Sequence, residues 1–114
     1  MRAKLTAAVS TVAMIVMLGA SASALFADDS PEIRFQGGRF EPAVLTLPVN
    51  TPTKLRVVNA GDAAIEFESF ELNRERVVQP GQAITVYIPA LGSGSYGFFD
   101  DLHHAVPAGK IVVR

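Results

Sequence analysis

The 114-residue chain contains no cysteine. That absence excludes disulfides, thiolate metal ligation and a lipid-modified N-terminal cysteine. Its three methionines, Met1, Met14 and Met17, all fall near the N-terminus, so the rest of the chain offers no thioether for Cu(I). Histidine occurs only at His103 and His104. No serine–histidine arrangement suggests nucleophilic catalysis, no glycine run resembles a phosphate loop, and Gly92-Ser93-Gly94 reads as a turn. Basic charge is not in excess, with a formal net charge of −1, which argues against a nucleic-acid-binding face. Stretches of helical periodicity are almost absent as well.

The N-terminus has the order of a secretory leader. Arg2 and Lys4 precede the apolar run Leu5 to Leu18, and Gly19 to Ala27 is rich in small residues. Cleavage after Ala24 fits the small-x-small rule, and cleavage after Ala27 starts the mature chain at Asp28. The same stretch also has about the ~20 uncharged residues of an uncleaved anchor, although its alanine, serine and glycine make a mediocre span. The expectation is residues 1–27 as signal peptide and residues 28–114 as one small exported, soluble, periplasmic domain. Losing Arg2 and Lys4 takes the net charge to −3.

Short β-like runs punctuated by turn residues follow: Ile33–Phe35, Ala43–Leu47, Lys54–Val58, Ala64–Phe70, Asn73–Val78, Ala83–Ile88, Ser95–Phe99 and Lys110–Val113. Alternation is clear at Ile33/Phe35 and Leu55/Val57, as a sheet with one buried face requires. Strands at roughly ten-residue spacing predict an all-β sandwich or barrel. With no disulfide available, packing must hold so small a domain together, with or without help from a metal.

Metal-binding residue types concentrate in two places. Glu66 and Glu68, two apart on a strand, point to one side. Asp100, Asp101 and His103 lie where an aromatic strand runs into the longest irregular segment, a common position for a site. Each has a plainer alternative: Ile65 and Phe67 facing the core with the glutamates simply solvated, Asp100-Asp101 as a turn, and exposed histidines. Arg74 and Arg76, alternating with Glu75, read as a solvated strand or hairpin.

The frame around the second cluster, Gly94-x-Tyr96-x-Phe98-x-Asp100 followed by His103, resembles the last part of a cupredoxin, where cysteine stands at the aspartate position. Phe67-Glu68-Ser69-Phe70 resembles the segment that carries the first histidine ligand, and Val77–Thr85 the turn and strand between them. The resemblance, over roughly residues 33 to 114, implies a cupredoxin-like Greek-key β-sandwich of seven to eight strands. It departs at the ligands: Asp100 for cysteine, Glu68 for histidine, and no methionine after His103. A blue-copper centre needs a thiolate, two imidazoles and a weak axial sulfur, so this chain cannot build one.

Glu66-Phe67-Glu68, Arg76-Val77-Val78-Gln79-Pro80-Gly81 and Phe98-Phe99-Asp100-Asp101-Leu102-His103 look like the cupredoxin-like domains of bacterial periplasmic iron-uptake systems, of the EfeO type or free-standing. That resemblance implies a metal set of Glu66, Glu68, Asp100, Asp101 and His103 for iron or Cu(II), and a membrane iron permease complex or a periplasmic iron-binding protein as partner. A metal-dependent ferroxidase role would be a sub-case. The alternative is a metal-free cupredoxin-like interaction module, and a copper chaperone is a third reading. His103 rather than His104 is selected as ligand by the cupredoxin spacing.

Overall fold

The computed structural model describes Ala3 and residues 29–114, so the expected leader lies, apart from Ala3, outside the described residues. Nine strands form: β1 (Glu32–Gln36), β2 (Arg39–Glu41), β3 (Val44–Leu47), β4 (Thr53–Asn59), β5 (Ile65–Ser69), β6 (Arg74–Val78), β7 (Ala83–Ile88), β8 (Gly94–Asp100) and β9 (Gly109–Val113). Among the described residues there is no helix, and so none long and apolar enough to cross a membrane. The all-β sandwich expectation holds, with one strand more than the pattern predicts. The addition is β2, which follows β1 through Gly37 and Gly38 at φ of 63° and 73°. Two residues in that region make the tight hairpin that a side chain would strain.

The strands build two mixed sheets, β2-β1-β4-β7 and β3-β9-β8-β5-β6. Parallel pairs join β1 to β4 and β3 to β9; the other pairs are antiparallel. Alternation sends Ile33 and Phe35, Leu55 and Val57, Ile65 and Phe67, and Ile84, Val86 and Ile88 into the space between the sheets. At its centre Phe40 meets Phe98 edge-on at 5.2 Å, and Phe98 lies 5.2 Å from Phe67. Aromatic pairs in these arrangements add to plain area burial. Gly109 makes room for them. A Cβ there would drive into the Phe98 ring and sit 2.9 Å from the Ala43 carbonyl oxygen.

Buried Asn59 shapes the loop at one end of the sandwich. Its Nδ2 donates to the carbonyls of Ala63 (2.8 Å) and Val78 (2.9 Å), and its Oδ1 accepts from the Gly61 N–H (2.9 Å). These bonds satisfy a polar side chain that burial would otherwise penalise.

Candidate metal centre

The site grows from the crossing of β5 with its two neighbours. Ile65, Phe67 and Ser69 face the core, so Glu66 and Glu68 project from the outer face, where both are half-buried. On one side β6 pairs Glu68 with Glu75 and Glu66 with Val77. On the other, β8 pairs Glu68 with Phe99 and Phe67 with Asp100. Two cross-strand rows result: Phe99–Glu68–Glu75, and beside it Asp101–Glu66–Val77. The carboxylates occupy the middle and one diagonal of that patch.

Asp100 and Asp101, adjacent in sequence, go opposite ways because successive strand residues do. Asp100 follows Phe98 inward and is 1% exposed. Its Oδ1 accepts from the N–H of Glu66 (3.0 Å) and of Leu102 (3.0 Å), and its Oδ2 lies 2.7 Å from His103 Nδ1. Asp101 turns outward, and its N–H donates to the Glu66 carbonyl (3.0 Å). Asp100 and the backbone of Asp101 therefore clamp Glu66 from both sides and hold the Asp101 carboxylate beside it.

One oxygen each from Glu66, Glu68 and Asp101 lies within 4.8 Å of the others. Glu66 Oε1 and Glu68 Oε2 are shielded from solvent and have no hydrogen-bond partner. Among the described residues no lysine or arginine forms an ion pair with Glu66, Glu68, Glu75 or Asp101. The chemistry of this crowding shows in the acidities. A hydrogen bond to the Glu75 side chain, then partial burial, then the charges of Glu75, Asp101 and Glu68 push Glu66 from its ordinary 4.5 up to about 7. Glu68 is also raised, first by partial burial and then by the charges of Asp101 and Glu75.

The five residues singled out in the sequence thus fall into two groups. Glu66, Glu68 and Asp101 converge as three oxygen donors. Asp100 and His103, expected to share an ion with them, converge on each other instead, with the Asp100 oxygens occupied by two N–H groups and an imidazole. His103 also borders an open cleft of about 600 Å³, with Phe35, Gly61, Asp62, Ala63 and Val106. The imidazole beside the carboxylate trio is that of His104, whose Nε2 stands 3.4 Å from Asp101 Oδ1 and 3.0 Å from the Asp101 carbonyl oxygen. Sequence reasoning also passed over Glu75. Its signal was the hairpin register: a turn at residues 70–73 sets Glu75 opposite Glu68.

A blue-copper site does not fit these residues. The position that would need a thiolate holds a buried carboxylate with its bonding capacity committed, and the Nδ1 of His103 is committed to that carboxylate.

Comparison with known proteins agrees with the architecture. An uncharacterized protein of Rickettsia prowazekii (strain Madrid E) is 34% identical over 83 residues, 73% of this chain; the chain spans 66% of that protein's length. Amicyanin from Paracoccus versutus superposes with a TM-score of 0.61 at 18% identity, covering 81% of this chain and 88% of amicyanin. A purple cupredoxin from Nitrosopumilus maritimus gives a TM-score of 0.58 at 16% identity, covering 75% of this chain and all of that one. At such identities the structural likeness speaks for the fold alone. The profile of the cupredoxin-like domain matches residues 8–113, and the chain belongs to that family.

Proposed function

We propose that this protein is an exported, periplasmic cupredoxin-like domain that binds iron or Cu(II) through Glu66, Glu68 and Asp101. In this reading it serves iron uptake alongside a membrane iron permease complex or a periplasmic iron-binding protein. The observation that carries the metal reading is the pair of shielded, partnerless oxygens, Glu66 Oε1 and Glu68 Oε2, aimed at a third carboxylate. A shielded carboxylate oxygen without a hydrogen bond or counter-charge is costly, and a cation relieves the cost at each of these two oxygens. Oxygen donors are hard ligands that suit Fe(III), and adding the neighbouring His104 imidazole would extend the range to Cu(II). The chain's own contribution is to pre-position the donors. Asp100 fixes the backbone of Glu66, and the strand register fixes Glu68 beside it. Export and the iron-uptake setting are supported by the leader pattern and by the resemblance of Glu66-Phe67-Glu68 and the Phe98–His103 run to iron-uptake domains.

A second reading, a metal-free interaction module, is favoured by one observation: the two positions closest to the copper-ligand frame, Asp100 and His103, satisfy each other.

Calorimetric titration of Fe(III), Fe(II), Cu(II) and Zn(II) into the purified protein separates the two. The metal reading expects one ion per chain, with affinity reduced at least about 100-fold in Glu66→Gln/Glu68→Gln and little changed in His103→Ala, since loss of an outer-shell partner alone costs about 10- to 100-fold. Loss of binding in His103→Ala alone would move the ion to the Asp100–His103 end. No binding of any ion by the wild type would leave the interaction module.

A further inference from the structure

The two sheets each end in an open strand on the same side of the molecule, β6 in one and β7 in the other. The turn at residues 79–82 connects these strands, but they form no backbone ladder with one another. Arginines from β6 close the seam. Arg74 Nε donates to the Tyr87 carbonyl (3.0 Å), while its Nη1 donates to the carbonyls of Leu72 (3.1 Å) and Asn73 (3.0 Å). Arg76 Nη1 donates to the Thr85 carbonyl (3.4 Å). Thr85 and Tyr87 are two apart, so these are the carbonyls that β7 turns away from β4, and in an antiparallel ladder the N–H groups of the same residues turn away too.

The seam is basic. Arg74, Arg76 and Lys54 form no ion pair with a carboxylate among the described residues. Lys54 Nζ stands 5.9 Å from the centre of the Tyr87 ring, which is 63% exposed. Beside them a groove of about 350 Å³ is lined by Pro52, Lys54, Arg74, Tyr87 and Pro89. It therefore combines an unpaired strand edge, a shallow apolar groove and three cations without counter-charge.

We propose that this seam is a docking site for an extended segment of a partner protein that carries acidic side chains at alternate positions and joins β7 as an added strand. Period-two spacing places such carboxylates on one side of the segment, where Arg74 and Arg76 lie two residues apart. A carboxylate is a stronger acceptor for guanidinium than a peptide carbonyl. The partner's acidic groups draw the arginines off Thr85 and Tyr87, and the freed backbone edge takes up the partner's ladder. Strand addition of this kind gains affinity from main-chain bonds and specificity from alternate side chains. The site does not depend on metal binding, since Glu75 points to the opposite face of β6 from the two arginines.

The probe is an acetylated, amidated peptide, Thr-Glu-Val-Glu-Val-Glu-Thr, titrated into the isotope-labelled protein and followed by amide NMR. Saturable shifts at Thr85 and Tyr87 are expected, with their amides gaining protection from exchange. The peptide with glutamine for glutamate should bind at least about tenfold more weakly. Thr85→Pro, which removes an outward N–H at an edge position that tolerates proline, should abolish binding, and Arg76→Gln, at an exposed side chain, should weaken it about tenfold. The idea is overturned by equal affinity for the two peptides, by undiminished binding to Arg76→Gln, by no binding, or by shifts confined to the Glu66–Glu68 face. A concentration-dependent dimer through β7 would likewise overturn it, in favour of a second copy as occupant.

Discussion

Asp100 and Asp101 begin two regions with opposite treatment of the same functional group. On the inner side, Asp100 is buried deeply and is fully served: two N–H groups and one imidazole surround its oxygens. On the outer side, Glu66 and Glu68 are only half-buried, yet each keeps one shielded oxygen with no hydrogen-bond partner. Depth of burial is therefore a weak guide to function here. The better guide is whether the group's bonding capacity is already spent. A carboxylate with its partners in place is part of the framework, while one held short of partners is poised to take a cation.

The contrast can be broken most forcefully at Asp100. Asp100→Ala leaves the N–H groups of Glu66 and Leu102 unsatisfied beside the core, and should cost about 3 kcal/mol in denaturant unfolding. A cost near zero would mean that Asp100 is not framework at all. The outer region should respond to pH instead. In chelator, the folded state holds the Glu66 proton more tightly than the unfolded chain does, because its pKa rises from 4.5 to about 7. Stability from this source is complete below pH 4.5 and is lost as pH rises through 7. Thermal melts of the wild type should show a falling trend across that window, shallower in Glu66→Gln and flatter still in Glu66→Gln/Glu68→Gln. Identical slopes in all three proteins would remove the outer carboxylates from the explanation. The smallest effect belongs to Glu75→Gln, which keeps the shape but removes a charge. Following the Glu66 carboxyl by NMR, its midpoint should move from about 7 back toward 4.5, and an unmoved midpoint would show that burial and the charges of Asp101 and Glu68 set it without Glu75.

Much of the fold was readable from the chain. The alternation at Ile33/Phe35 and Leu55/Val57 marked real strands because each has one face in the core. Strand β2 escaped because only Phe40 of its three residues turns inward, and a single apolar residue carries no period. In the site, the shared orientation of Glu66 and Glu68 follows from spacing alone. The split between Asp100 and Asp101 was also available in principle, since Phe98 points inward and Asp100 shares its parity. What spacing could not supply was the fate of that inward carboxylate. It depends on the backbone path of residues 101–103, which folds back to offer the Leu102 N–H and the His103 ring. Glu75 needed the β5–β6 register, which is local but hangs on how many residues the turn between Ser69 and Arg74 takes up.

The order of strands in the five-stranded sheet has a kinetic consequence. β9 comes last of the nine strands, yet it sits between β3 and β8. Strand β3 must wait for it, because its ladder partners, Lys110 to Val113, follow β4 through β8 in the chain. Pairing across such separations slows folding, since loop closure precedes the reward of contact. The β5–β6 hairpin that bears Glu66, Glu68 and Glu75 needs only its own turn to form. Glu66, Glu68 and Glu75 can therefore come together early, whereas Asp101 joins them only when β8 pairs with β5.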